Sequence, residues 1–303
     1  MVKVLTNSIS IIIPTFNRAN TIERCLNSVL DQDYPIHKME IIVVNDGSND
    51  DTPGILRRYQ HIHNLRVLRQ ANTGVSAARN LGLKYSKHSW IAFLDSDDYW
   101  MPKKLSHQMR LLEKEKRLVC HTQEIWIRNG KRVNQCKHHA KFGGNIFEKN
   151  LPLCAMSPSS ILIHRSVFES VGAFDEQLPA CEDYDLWIRI TSKFDVSYVP
   201  EACIFKTGGH ADQLSKKYSA MDRFRIYALL KLMNTGTLND IQFTQAKSIL
   251  QKKAKIYLKG CLKHSRPIGN LLDELNNILT EPDWLDFAEK IGLRDHLPST
   301  GYP

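Results

Sequence analysis

Three carboxylates fall within four residues at Asp95-Ser96-Asp97-Asp98, directly after the apolar run Ile91-Ala92-Phe93-Leu94. An Asp-x-Asp at the end of a strand sets two carboxylates on one side of a tight turn. Hard divalent cations such as Mg2+ and Mn2+ prefer carboxylate and phosphate oxygens. The plainer alternative is a turn followed by a helix cap, since Asp suits both. So many acids after a buried run favour the metal reading. A further carboxylate, Asp46, closes the run Ile41-Ile42-Val43-Val44, and an acid pair, Glu182-Asp183, heads an apparent helix. Each also has a structural reading: a tight turn at Asp46-Gly47-Ser48 and complementation of a helix N-terminus at Glu182-Asp183.

Chemistry at these positions needs elements that bring them together. Four short apolar runs, Ile9–Ile13, Ile41–Val44, Leu65–Leu68 and Ile91–Leu94, alternate with helical periodicity. A helix is predicted from an Asn20 cap with Glu23 in a capping box, with Ile22, Cys25, Leu26, Val29 and Leu30 on one face. A second runs from Gly74 to Tyr85, with Val75, Ala78, Leu81, Gly82 and Tyr85 inward. A third runs from Pro102, at the first helical position, to about Lys116. Runs that are apolar on both faces and alternate with helices predict an α/β, mainly parallel sheet covered on both sides. In such sheets ligands lie beyond the carboxyl ends of the strands. The ends here are Pro14-Thr15-Phe16-Asn17-Arg18, Asn45-Asp46-Gly47-Ser48 and Asp95–Asp98, and they are predicted to share one crevice.

Bulk properties bound the partners. The 303 residues are 42% hydrophobic and 24% charged, with a formal net charge of +9. That allows one large domain with a helical extension, and it favours anionic partners: nucleotide phosphates, nucleic acid or an anionic membrane surface. No zinc-finger, cold-shock or RNA-recognition signature accompanies the charge, so nucleic acid is not favoured. Neither GxxxxGK[ST] nor GxGxxG after the first strand occurs. The seven cysteines include no CxxC pair and read as reduced thiols. Cys136-x-His138-His139 lacks the second half of a zinc site. Met1 to Ser8 shows no signal-peptide pattern, and no apolar run reaches the ~18 residues of a spanning helix. The expected location is therefore cytoplasmic, at most peripheral on the inner face of the membrane. Beyond about residue 214 the chain reads as helical, with Lys247, Lys252, Lys253, Lys255 and Lys259 beside apolar residues. That pattern suits either an anionic membrane surface or, as the favoured reading, the solvated face of a packed helix.

Five motifs in order carry a resemblance to the family 2 glycosyltransferases, inverting enzymes of the GT-A fold. They are Ser10–Arg18, Val43–Ser48, Asn72–Asn80, Phe93–Asp98 and Glu182-Asp183. The resemblance covers roughly 8–212. It implies a Rossmann-like GT-A domain at 1–212, with 213–303 as a helical C-terminal extension outside it.

It also implies transfer from a nucleotide diphosphate sugar, UDP-linked, to a hydroxyl of a glycan or lipid-linked acceptor, as in cell-surface polysaccharide synthesis. Mn2+ or Mg2+ would be held by Asp97, with Asp95 as companion. Asp46 would accept a hydrogen bond from the nucleobase. Pro14, Thr15, Phe16, Arg18, Gly74, Arg79 and Ser96 would line the donor site, with Phe16 stacking and Arg79 pairing with a phosphate or with Asp95. Asp183 would be the general base, with Glu182 in reserve. His210, in Gly208-Gly209-His210, would be a further metal ligand, against a satisfied loop histidine. Trp100 and Trp187 read as core rather than as sugar platforms. Competing readings are a basic nucleic-acid-binding protein and a nucleotide-sugar-binding scaffold without activity.

Overall fold

The computed structural model describes residues 7–136, 139–209, 217–218 and 220–263. The described parts of Met1–Ile146, Ala155–Phe174 and Lys193–Ala211 form one compact unit. Those of Phe147–Cys154, Asp175–Ser192 and Asp212–Pro303 form a second.

The first unit is built on a nine-stranded sheet. The four predicted runs become β1 (Ile9–Thr15), β2 (Met39–Asn45), β3 (Leu65–Arg69) and β4 (Trp90–Phe93). They lie in the order β3-β2-β1-β4, all parallel. Every residue of β1 is buried, so its sequence has no polar face to alternate with. The sheet continues through β5 (Tyr99–Trp100), β6 (Val119–Arg128), β7 (Lys131–Val133), β8 (Leu162–His164) and β9 (Ser197–Gly208) in the order β8-β6-β9-β5, with β7 on β6. Here β8 runs antiparallel to β4 and β6, and β5 antiparallel to β9. The long β6 and β9 are parallel to each other, so the sheet is mixed and mainly parallel.

Helices α1 (Ile22–Leu30), α2 (Thr52–Arg57), α3 (Val75–Tyr85), α4 (Lys104–Glu115) and α6 (Arg165–Val171) belong to this unit, and α5 (Phe147–Asn150), α7 (Glu182–Thr191), α8 (Asp222–Asn234) and α9 (Asp240–Lys263) to the second. Ile22, Cys25, Leu26 and Val29 are buried as the periodicity predicts. The capping box is not formed: Thr21 sits at the N-cap without a side-chain bond. Glu23 pairs with Arg58 at 3.3 Å instead. Pro102 is not in the first helical position; α4 begins two residues later. On α3, Tyr85 is 46% exposed rather than inward, with the Arg66 guanidinium over its ring. Ser76 and Arg79 are buried in its place. A Cβ at Gly82 would collide with the Ile12 side chain, so glycine there lets α3 lie close on β1.

The second unit packs α5, α7, α8 and α9 around Leu151, Tyr184, Ile188, Phe224, Leu229 and Leu250. Lys253 is buried here. Its Nζ donates to Pro152 O at 2.8 Å and lies 3.3 Å from Asp222. It therefore belongs neither to a solvated face nor to a membrane-facing one. No helix among the described residues is long and apolar enough to cross a membrane.

Lys104, at the start of α4, is fully buried. Its Nζ donates to Gln108 Oε1 at 2.7 Å and sits 4.0 Å from the Trp100 ring centroid. Burial lowers its pKa to about 7, with Cys203 and Cys120 opposing. Because the unfolded chain keeps this proton up to about pH 10, it binds more protons than the fold above pH 7. Stability contributed here is therefore lowest below about pH 7 and rises towards pH 10. Lys104→Met is expected to remove that rise, up to about 1.4 kcal/mol per pH unit. Urea midpoints of both proteins at pH 7 and 9 measure it; parallel changes would contradict it.

Candidate active site

Since β1 is parallel to both β2 and β4, the residues after their carboxyl ends emerge on one edge of the sheet. Thr15 is level with Asn45, and Ile12 with Phe93. Pro14 is a buried β1 residue opposite Val44. Thr15 is 2% exposed, and its Oγ1 has no hydrogen-bond partner. Phe16 is exposed. The segment after it is locked to the loop after β2. Asn17, at φ +52°, donates its N–H to Ser48 Oγ, and its Oδ1 accepts from Asn49 N, both at 2.9 Å. Arg18 N donates to Thr52 Oγ1 at 2.8 Å, and its guanidinium turns back to the carbonyls of Phe16 and Asn17.

Asp46 is 4% exposed and accepts three hydrogen bonds. Oδ1 takes Gln70 Nε2 at 2.8 Å and Thr73 N at 2.9 Å, and Oδ2 takes Gly74 N at 2.9 Å. The carboxylate thus holds the loop that starts α3, where Gly74 stands at φ +99°. Gly47 stands at φ +77°, and a Cβ there would lie 2.9 Å from Asn72 N, so glycine is what lets the two loops approach this closely at that point. Asp46→Asn presents an amide N–H to an N–H or amide donor. Leaving a buried donor unpaired is expected to cost about 1–3 kcal/mol. Urea denaturation reads this, and an unchanged midpoint would show that the clamp carries no stability.

The turn after β4 joins two predicted residues directly. Arg79, 3% exposed on its side chain, donates from Nη2 to Asp95 Oδ1 at 2.7 Å, and its guanidinium lies 5.0 Å from the Phe174 ring centroid. Asp95 is one of the two partners that the sequence allowed Arg79. Ser96 is buried and Asp97 half-buried. Asp98 is 2% exposed and has a structural role: Oδ2 accepts from Ser159 Oγ at 2.6 Å and Oδ1 from Thr207 N at 2.7 Å. Burial, then the Asp97 and Asp95 carboxylates, push Asp98 well above the usual carboxylate range, opposed by Lys206 and the Ser159 hydrogen bond. Arg24 on α1 donates from Nη2 to Asp97 O at 2.8 Å and stacks over Tyr99 at 4.4 Å. It also lines a groove of about 580 Å³ with Asn20, Glu23, Asn27 and Asp31. Sequence reasoning missed Arg24, Ser159 and Thr207, none of which has a local signal.

Among the described residues no group of three or more metal-ligating side chains exists. A pair of carboxylates is still sufficient for Mg2+ or Mn2+ when phosphate oxygens and waters complete the shell. Asp95 and Asp97 suit such a cation, with Asp95 shared with Arg79. His210 lies outside the described residues, as does His138.

Glu182 and Asp183 belong to the second unit and open α7. Cys181 precedes them at φ +62°. Glu182 is 4% exposed and Asp183 is half-buried. Asp183 Oδ1 accepts from Tyr184 N at 2.7 Å, and Oδ2 from the Cys154 thiol at 3.3 Å. Asp185, by contrast, is bound from two nitrogens of Arg189, at 3.1 and 2.6 Å, and is structural. Trp187 and Trp100 are core residues, 0% and 3% exposed.

A mixed, mainly parallel sheet flanked by helices, with acidic loops at the ends of its parallel strands, is the GT-A type of glycosyltransferase domain. The model of glycosyl transferase family 2 matches residues 10–172, and that of glycosyltransferase like family 2 matches 133–228. The chain belongs to glycosyl transferase family 2. It is 32% identical over 185 residues to an uncharacterized glycosyltransferase of Rickettsia bellii, covering 61% of this chain and 26% of that one. It thus spans about a quarter of that relative's length. It is 31% identical over 191 residues to the UDP-Glc:alpha-D-GlcNAc-diphosphoundecaprenol beta-1,3-glucosyltransferase WfaP of Escherichia coli, covering 61% of this chain and 70% of that one. Among solved structures, S. aureus TarS 1-349 in complex with UDP-GlcNAc is similar with a TM-score of 0.67 and 21% identity, over 94% of this chain and 79% of that one. The mannosyltransferase PcManGT from Pyrobaculum calidifontis, in complex with GDP-Man and Mn2+, has a TM-score of 0.57 and 17% identity, over 94% and 84%. These structural likenesses concern the fold.

Proposed function

We propose that this chain transfers a sugar, with inversion, from a UDP-linked donor to a hydroxyl of a glycan or lipid-linked acceptor, in cell-surface polysaccharide synthesis. The observation that carries this reading is that the Asp46 loop and the Asp95–Asp97 turn leave parallel strands at the same edge of one sheet. The E. coli relative, named for a UDP-Glc donor and a lipid diphosphate acceptor, and the UDP-GlcNAc bound by TarS support the choice of donor and acceptor.

In this reading Asp46 accepts the nucleobase N–H. A carboxylate offers about four lone-pair sites, and three are occupied by the α3 loop, so one position is left for a ligand. Thr15 Oγ1, buried with no partner, and exposed Phe16 lie on the same edge. Asp97, with Asp95, holds Mg2+ or Mn2+, as supported by the Mn2+ in the PcManGT complex. A bound divalent cation supplies Lewis-acid neutralisation of the departing diphosphate. Arg79 keeps Asp95 in place. Asp183 takes the proton from the acceptor hydroxyl, with Glu182 as the alternative base.

A thermal-shift panel of UDP, GDP and their sugars with Mn2+ tests the donor. A ligand at a hundredfold excess over its Kd stabilises by about 2.7 kcal/mol. UDP and UDP-sugars are expected to raise the midpoint. No shift with any nucleotide would overturn the reading.

A further inference from the structure

We propose that Ser159 and Asp98 are positioning residues that hold the Asp95–Asp97 turn in its cation-binding form. Ser159 is fully buried in the short 3-10 turn Pro158–Ser160. Its hydroxyl bonds to both ends of the acidic turn: Oγ accepts Asp95 N at 3.1 Å and donates to Asp98 Oδ2 at 2.6 Å. Asp98 N closes the turn on Asp95 O at 2.9 Å. The other oxygen of Asp98 accepts Thr207 N at 2.7 Å, so β9 braces the same point. The Ser159 carbonyl accepts Trp100 Nε1 at 2.9 Å, tying the next strand to the same residue. Asp97 therefore sits between two residues fixed to one buried hydroxyl.

Two carboxylates close together bind a divalent cation well only when their mutual repulsion is already borne by the fold. A turn free to relax would swing them apart, and cation binding would then carry the cost of reassembly. Ser159 and Asp98 remove that cost without touching the ligand. They act on the cation-dependent part of nucleotide binding and leave the nucleobase contacts alone.

The inference rests on the proposed donor reading, and calorimetry separates the two. Kd for UDP and for GDP is measured with Mn2+ and with EDTA, and for each nucleotide the Kd with EDTA divided by the Kd with Mn2+ is the readout. Ser159→Ala and Asp98→Asn are each expected to lower that ratio at least tenfold while the EDTA value stays within twofold. Ser160→Ala is the control. Ser160 is equally buried in the same turn, but its hydroxyl bonds only within the turn, to Ser157. It is expected to keep the wild-type ratio. Should Ser159→Ala not fold, Asp98→Asn decides. Should neither fold, hydrogen exchange of the wild-type Asp95 amide decides, with slower exchange expected when Mn2+ and nucleotide are added together. Unchanged ratios in folded variants, an equal loss with Ser160→Ala, or an unchanged Asp95 exchange rate would overturn the inference. A wild-type protein with no cation-enhanced nucleotide binding would instead contradict the donor reading.

Discussion

Asp97→Asn is expected to lower kcat/KM for sugar transfer at least about a thousandfold, the scale of several kcal/mol of transition-state charge stabilisation. Asn keeps the size and loses the charge, so the cation site is left with Asp95 alone, itself shared with Arg79 at 2.7 Å. The fold should survive. Arg24 holds the backbone carbonyl of Asp97, and the turn's backbone bonds run through Asp95 and Asp98. Removing one of several crowded carboxylates also relieves Asp98, whose pKa Asp97 helps to raise. A urea midpoint close to wild type checks that any loss of transfer is not a loss of folded protein. A variant that transfers at the wild-type rate would remove Asp97 from the mechanism.

Asp183→Asn is expected to lower kcat by about 10²–10⁴, the usual contribution of a positioned base, with nucleotide Kd unchanged. Asn still offers an oxygen to Tyr184 N or to the Cys154 thiol, so α7 should keep its first turn. Loss of nucleotide affinity together with kcat would assign Asp183 to donor binding instead. If Asp183→Asn keeps activity and Glu182→Gln loses it, the base is Glu182.

How much of this was legible in the sequence depends on the distance over which each contact acts. β1, β2 and β4 were readable because short apolar runs with no polar face, alternating with helical segments, suit a parallel sheet covered on both sides; β3, only partly buried, was read from its place in that alternation. Their polar ends followed from parallel pairing. Pairing of Arg79 with Asp95 was readable as one of two options because α3 and β4 are neighbours in sequence. The second half of the sheet was not. β5 has two residues, and β6 and β9 pair with two register shifts, so no periodicity announces them. Ser159 reaches Asp98 across 61 positions, and Thr207 across 109. Lys104 and Lys253 carry a residue type that reads as surface; Lys253 is met by Pro152 and Asp222, distant in sequence, and the nearby Gln108 and Trp100 that meet Lys104 give no signal of burial. Nor does local pattern show that 147–154 and 175–192 pack with the later helices.

The central claim is that the acidic edge of the sheet binds a nucleotide diphosphate through a divalent cation. Calorimetric titration of wild-type protein with UDP, with saturating Mn2+ and then with EDTA, tests it most directly. Binding at least tenfold tighter with Mn2+, about 1.4 kcal/mol, is the predicted result. Equal affinity under both conditions, or no binding under either, would contradict it.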